Sequence, residues 1–280
     1  MDSLWKDFAF GARTLRKNPG FAITALVTLA LGIGASTAIF SVVNAVLLRP
    51  LPYARADRLY FLTSDMKARN VLDFPVAPAD VKDLREGATQ FDGIAGVFTF
   101  RAPLTGDDGQ PEQVNTALAT TNFFHLLGAP IAAGRDFQED DATPQPPPPQ
   151  AAPGAAAPGV AQAPPPPRFP AIAILSHGFW MRRYGGSRDI IGKFVDLGGG
   201  RAQIVGVLGP EFELLFPPRL NVEHNPDVYT ALRIDWATAS RINVFLRLVA
   251  RLKPDASLGA AQAQVNTVTA DLIFQSDVLS

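Results

Sequence analysis

The sequence predicts an α+β domain that follows one N-terminal membrane-spanning helix. Residues 21–48 contain no charged side chain. The rest of the chain changes irregularly between segments typical of strands and segments typical of helices. A doubly wound parallel sheet would need regular alternation of strands and helices, so this irregular order favours an α+β fold.

The uncharged stretch has the length of a membrane anchor. Its 28 residues would form a helix of roughly 42 Å, longer than the ~30 Å hydrocarbon core of a bilayer. Lys6, Arg13, Arg16 and Lys17 precede it. Because basic flanks tend to stay in the cytoplasm, we expect a cytoplasmic N-terminus and export of everything after the helix.

Two other interpretations of this stretch remain open. A soluble protein can bury an apolar helix, although few such helices run so long without a charge. A cleaved signal peptide is the second alternative, because residues 43–45 (VNA) loosely resemble a cleavage site. The apolar region of a signal peptide is usually only ~7–15 residues long, which favours a retained anchor.

The N-terminal region divides into residues 1–20, a predicted cytoplasmic amphipathic helix, and residues 21–50, the predicted membrane helix. An ordinary basic flank is the equal alternative for the first segment. Its amphipathic character suits a membrane surface. The apolar residues at helical spacing are Leu4, Phe8, Ala12 and Leu15.

Residues 51–280 form the predicted exported domain. Pro50 and Pro52 end the membrane helix, since neither can donate a helical hydrogen bond. Strands are predicted at residues 59–63, 94–104, 112–119, 172–175, 194–197, 203–208 and 244–252. Helices are predicted at residues 78–85, 121–127, 176–184 and 257–274.

Local signals mark the ends of several elements. Pro78 suits the first turn of a helix, and Ser176 is a typical N-cap. Thr121 is a capping-type residue, and Gly128 follows the helix that it begins. The triplet Gly198-Gly199-Gly200 suits a hairpin turn. The last helix has an apolar face formed by Leu258, Ala261, Val265, Val268 and Leu272.

A proline-rich insert over residues 142–170 interrupts the domain. It holds 12 of the 25 prolines in the chain, with PPPP twice. Such a segment has little apolar surface to bury, so we expect it to stay unfolded or in polyproline II form. An inert surface insertion is favoured, and a ligand for a proline-recognising module is the alternative.

The sequence predicts no catalytic, cofactor-binding or metal-binding residues. GxxxxGK[ST], HExxH and GxSxG motifs are absent, as are cysteines, and the net charge of −1 gives no indication of nucleic-acid binding. The carboxylates of residues 139–141 are interpreted as a solvated loop. Trp180 and Tyr184 are interpreted as packing on the sheet rather than marking a surface contact. The three histidines are widely spaced and give little indication of a metal site: His125, His177 and His224.

Several stretches together resemble one family. They are RTLRKNPGF (13–21), LALGIGASTAIFSVVNAVLLRPLPY (29–53), NFFHLLGAPIAAGRDF (122–137), AILSHGFWMRRYGGSRDIIGK (173–193), IVGVLGPEF (204–212) and RLVARLKPDASLGAAQAQV (247–265). In this order they resemble the MacB/FtsX-like ABC transporter permeases, most closely the duplicated orphan permeases of acidobacteria.

The resemblance implies a MacB-like periplasmic core domain after the membrane helix. A porter-like βαβ part would combine residues 59–85 with 244–274, and an inserted β-rich part would lie between them. The implied location is the bacterial inner membrane, with the main domain in the periplasm. The implied partners are a separate cytoplasmic ABC ATPase, a permease homodimer or complementary permease half, and a periplasmic adaptor.

The chain departs from the family pattern in two respects. The proline-rich insert is one. The other is that relatives continue into three further membrane helices beyond the position of Ser280, so we expect a truncated form that lacks the FtsX-like region. The first hypothesis for function is a non-enzymatic permease component driven by a separate ATPase. The alternative is a membrane-anchored periplasmic binding or scaffold module coupled to no ATPase.

The basic N-terminal flank leads to a prediction about topology. A reporter that is active only in the periplasm should be active when fused after Thr63 or Arg251, and inactive when fused after Lys17, because positive charge holds the N-terminus in the cytoplasm. Activity of the Lys17 fusion would show the opposite orientation.

Overall fold

A computed structural model describes residues 16–43, 53–66, 71–106, 109–146, 169–269 and 272–275. The chain divides into two compact units, one within Met1–Pro50 and one over Leu51–Leu279. The predicted amphipathic helix lies almost entirely outside the described residues. So do the predicted end of the membrane helix and most of the proline-rich insert.

The first unit contains helix α1 (Pro19–Val43). Among the described residues, one helix is long and apolar enough to cross a membrane, over Pro19–Ser41. Two of its three threonines bond within the helix, because Thr24 Oγ1 donates to the carbonyl of Gly20 at 2.9 Å and Thr28 Oγ1 donates to that of Thr24 at 2.8 Å. These bonds satisfy hydroxyl groups that would otherwise be costly in hydrocarbon.

The second unit is a mixed α+β domain, as predicted. Its strands are β1 (Leu59–Met66), β2 (Val71–Phe74), β3 (Phe91–Thr105), β4 (Pro111–Ala119), β5 (Ile131–Gly134), β6 (Ala171–Leu175), β7 (Phe194–Leu197), β8 (Gly200–Leu208), β9 (Val228–Ala231), β10 (Arg247–Leu252) and β11 (Leu272–Gln275). Its α-helices are α2 (Pro78–Gly87), α3 (Phe123–Leu127), α4 (His177–Tyr184) and α5 (Leu258–Val268).

The described strands form one sheet in the order β11-β1-β10-β3-β4-β9-β6-β8-β5. The pairs β4/β9 and β6/β8 are parallel, and the other pairs along this path are antiparallel. Strand β7 pairs with both β8 and the end of β3. The pairings therefore close a six-stranded ring, β3-β4-β9-β6-β8-β7, which is the β-rich part of the domain.

Among the described residues, the hydrophobic core is made of three clusters. Residues of β1 alternate between two of them, as the period of a strand requires, with Leu62 on one face and Phe61 on the other. The Leu62 face is covered by α2 and α5, and the Phe61 face by α3 and the segment after β8. The third cluster joins α4 to the ring strands.

Local sequence signals are confirmed where they are strongest. Ser176 Oγ accepts a hydrogen bond from the amide of Phe179 and caps α4. Pro78 occupies the first turn of α2. Gly198 and Gly199 have φ of 63° and 79° in the β7–β8 turn, values that favour glycine.

The C-terminal prediction is partly wrong. Helix α5 ends at Val268, because Thr269 is extended (φ −139°, ψ 106°), and residues predicted as its last turn form β11. The helical spacing to Leu272 was misleading because the open side of β1 offers backbone hydrogen bonds to a strand. The predicted strand at 244–252 begins later, since Leu246 makes only an isolated bridge to Val76.

Other differences are smaller. Strands β2, β5 and β9, of four residues each, were not predicted. The predicted cap Thr121 is not the N-cap of α3. Asn122 holds that position without a side-chain cap, and its Nδ2 donates instead to the carbonyl of Ile94 at 3.1 Å.

Close backbone packing at β8 leads to a prediction about stability. A Cβ on Gly206 would lie 2.2 Å from the carbonyl oxygen of Arg135, so Gly206→Ala should lower the free energy of unfolding by about 2–4 kcal/mol. Gly178 in α4 has open space around it, and Gly178→Ala should change the free energy of unfolding by less than about 0.5 kcal/mol. Chemical unfolding of the full chain in detergent measures both. Equal effects would contradict the packing described.

Candidate functional site

The first strand of the domain begins beside the end of the last described strand. β11 runs antiparallel to β1, and its last residue, Gln275, pairs with Phe61. Phe61 lies near the start of β1, and Tyr53 precedes β1 by a few residues. β11 therefore ends beside the start of β1, the end at which Tyr53 lies.

The residues that lead into β1 are held by a set of contacts that we call the entry socket. It comprises residues 53–55, residues 126–128 at the end of α3, residues 213–215 after β8, and Arg251 of β10. Tyr53 is buried in it. Its hydroxyl donates to the carbonyl of Glu213 at 2.8 Å and accepts from the amide of Leu215 at 2.7 Å.

Arg251 donates hydrogen bonds to three backbone carbonyls in the entry socket. Its Nη1 donates to the carbonyls of Ala54 at 2.5 Å and Arg55 at 3.2 Å, and its Nη2 donates to that of Leu126. The residue is 4% exposed. Burial lowers the pKa of the Arg251 guanidinium, and the neighbouring charge of Arg55 lowers it further. The charge faces the C-terminal end of α3, where helical carbonyls need donors.

The backbone of residue 54 also packs closely against the end of α3 in the entry socket. The amide of Ala54 donates to the carbonyl of Leu127 at 3.0 Å. Gly128, with φ of 70°, ends α3, and a Cβ there would lie 2.4 Å from the Cβ of Ala54. Arg55 has φ of 50° and ψ of 53°, a left-handed conformation that is uncommon for a residue other than glycine. The entering chain therefore has one defined path.

A second cluster ties the two ends of the proline-rich insert together. Arg233 donates to the carbonyls of Asp141 at 3.0 Å, Phe169 at 3.0 Å and Pro170 at 2.6 Å. Gln145 Nε2 donates to the carbonyl of Phe169 at 2.8 Å, and the amide of Phe169 donates to Gln145 Oε1 at 3.0 Å. A cavity of about 350 Å³ lies beside this cluster.

The interpretation of residues 139–141 as a solvated loop is wrong for Asp141. This residue is 7% exposed and forms a two-point ion pair with Arg135, at 2.6 and 2.9 Å. Burial alone would raise the pKa of the Asp141 carboxyl, but the hydrogen bonds from Arg135 and Gln138 outweigh it and lower that pKa. Glu139 accepts a hydrogen bond from Thr121 Oγ1 at 3.0 Å.

A polar groove of about 230 Å³ lies beyond the end of β10 that is opposite the entry socket. Asn115 links its walls, because it accepts from Arg101 Nε at 3.2 Å and donates to Glu223 at 3.4 Å. His224 and Phe100 also line the groove. The groove is large enough for a small polar ligand only.

The residues considered in the sequence lie apart in the fold. His125 is in α3, His177 begins α4, and His224 lines the polar groove. Among the described residues, no group of three His, Asp or Glu is placed to hold a metal ion. Trp180 packs in the third core cluster with Tyr184 beside it, as predicted.

Sequence analysis missed Arg251, Arg233 and Tyr53. The available signal for Arg251 was a charged residue between apolar neighbours within the strand RLVARL. A charge at such a position must find buried acceptors, but the sequence does not identify them.

Comparison with known proteins gives one clear family. The profile described as MacB-like periplasmic core domain matches residues 22–268. A comparison with curated protein sequences gives no match.

Solved structures share the fold. The periplasmic region of MacB from Actinobacillus actinomycetemcomitans aligns with a TM-score of 0.53 and 11% identity, covering 82% of this chain and 93% of that one. The extracellular domain of YknZ, a noncanonic ABC-type transporter from Gram-positive bacteria, aligns with a TM-score of 0.51 and 10% identity. That alignment covers 78% of this chain and 100% of the other.

Burial of Tyr53 leads to a prediction about alkaline pH. Burial raises the pKa of its phenol well above 10, and the charge of Glu213 adds to the shift. A raised pKa in the folded state means that the stabilisation is complete below the unfolded value of about 10 and is lost above it.

Absorbance at 295 nm, titrated for the wild type and for Tyr53→Phe, measures this shift. The difference between the two curves should appear only well above pH 10 or upon unfolding. A difference curve centred near pH 10 would contradict the buried position of Tyr53.

Proposed function

The chain belongs to the family of MacB-like periplasmic core domains, the periplasmic domains of ABC-type transporter permeases, and from this premise we propose that it couples a separate cytoplasmic ATPase to work in the periplasm. The proposal treats the chain as a non-enzymatic component, like the transporter permeases to which its relatives belong. The protein would be anchored in the bacterial inner membrane with its N-terminus in the cytoplasm and its domain in the periplasm.

The observation that carries this proposal is the shared end of β1 and β11. A domain that transmits movement from a membrane needs its incoming and outgoing chain segments on one side. The pairing of Phe61 with Gln275 gives that arrangement. A domain that was merely tethered would need only one firmly held end.

The entry socket gives further support. A tether to a passive domain is usually a mobile linker with few contacts to the domain. Here the segment at residues 53–55 is fixed by Tyr53, by the carbonyls bound to Arg251, and by the amide bond to Leu127. A fixed entry segment would pass displacement at residues 53–55 on to the domain.

The proposed partners follow from the same premise. An ABC ATPase would supply energy from the cytoplasm. A second permease, as a homodimer or as a complementary half with three further membrane helices, would complete the membrane part. A periplasmic adaptor is the third proposed partner.

A second candidate is a membrane-anchored binding module that is not coupled to an ATPase. The polar groove favours it, because Arg101, Glu223 and His224 converge there with the ring of Phe100. Such a module would bind a small polar ligand without any need for a rigid entry segment.

Capture of the ATPase separates the two candidates. An ABC ATPase of a MacB-like transporter is co-expressed with the full chain, with and without a family region of three membrane helices, and each preparation is purified from detergent. We expect the ATPase to be retained only when the three-helix region is present, because that region completes the contact in the relatives that the chain resembles. Absence of the ATPase from both preparations would favour the binding module.

A further inference from the structure

The entry socket is connected by a line of packed aromatic rings to the six-stranded ring. Tyr53 lies 6.2 Å from Phe212 between ring centroids. Phe212 lies 6.3 Å from Tyr229 and 5.5 Å from Phe124, and Phe124 lies 5.0 Å from Tyr229. Tyr229 belongs to β9, a strand of the closed ring, and is 1% exposed.

The segments that form the socket are also continuous with ring strands. Residues 126–128 lie between β4 and β5, and residues 213–215 follow β8. Next to these segments, the amide of Gly209, just after β8, donates to the carbonyl of Pro130, just before β5, at 2.7 Å. Tyr53 therefore contacts a segment that directly follows a ring strand, in addition to preceding β1.

We propose that Tyr53, Phe212 and Tyr229 form the route by which displacement of the entering chain reaches the ring. This inference rests on the proposed coupling function and names the elements that would carry it. Close-packed interiors transmit strain because a displaced side chain has no free volume to move into. The hydroxyl of Tyr53 is also hydrogen-bonded to the backbone of Glu213 and Leu215, beside Phe212.

Contiguous packing does not by itself establish coupling, so the test must measure interaction between positions. Phe137 provides a matched control for Phe212. Both are buried, at 7% and 9% exposure, and both pack against Phe124, at 5.6 and 5.5 Å. Phe212 also contacts Tyr53 and Tyr229.

The experiment measures hydrogen exchange of the β9 amides in the full chain in lipid nanodiscs. Tyr53→Phe removes the hydroxyl and keeps the ring. We expect Tyr53→Phe to raise the hydrogen-exchange rate of the β9 amides at least fivefold, both in the otherwise wild-type chain and in the Phe137→Leu background. In the Phe212→Leu background, the same substitution should raise that rate less than twofold. Phe212→Met serves as a second variant that retains volume if Phe212→Leu does not fold.

Two results would overturn the proposal. One is unchanged β9 exchange in Tyr53→Phe. The other is an effect of Tyr53→Phe of equal size in the Phe212 and Phe137 variants. No ATPase is present in these measurements. Loss of ATPase capture with an intact Tyr53–Phe212 interaction would therefore reject the coupling function and leave the route in place.

Discussion

The fold depends on β3, because this one strand belongs to both parts of the domain. Its 15 residues extend about 50 Å at the usual rise of a strand. The first part pairs with β10 in the sheet covered by α2 and α5, and the part from Val97 onward pairs with β4. Its last residues pair with β7 and close the ring. The two parts therefore cannot move apart without breaking a continuous ladder of hydrogen bonds.

One buried and two half-buried arginines connect segments where regular pairing ends. Arg251, Arg233 and Arg247 each donate to backbone carbonyls of neighbouring segments. Burial lowers the pKa of all three guanidinium groups, a sign that desolvating the charge is costly. The cost is offset because a guanidinium has five donors in a fixed plane and can satisfy several carbonyls at once. A lysine carries three donors on a single nitrogen and lacks this wide planar fork.

The sequence predicted what is determined locally. The cap at Ser176, the glycine turn at residues 198–200 and the first turn at Pro78 depend on neighbours within a few positions, and all three are present. β11 could not be predicted in this way, because it exists only as a partner of β1. The entry socket is still harder to predict from sequence, because Arg251 donates to carbonyls 125 and 197 positions away. The family resemblance gave the fold and did not reveal these contacts.

The insert shows why a large departure in sequence leaves the fold unchanged. Gln145 and Phe169 are 24 positions apart, yet they exchange two hydrogen bonds, and Arg233 holds both sides of the same base. Once the base is closed, doubling the length of the loop above it costs only about 0.6 kcal/mol of loop entropy. The base is built on the ion pair of Asp141 with Arg135, and none of its residues belongs to the entry socket. Added length at this point therefore leaves the contacts between the entering chain and the ring intact.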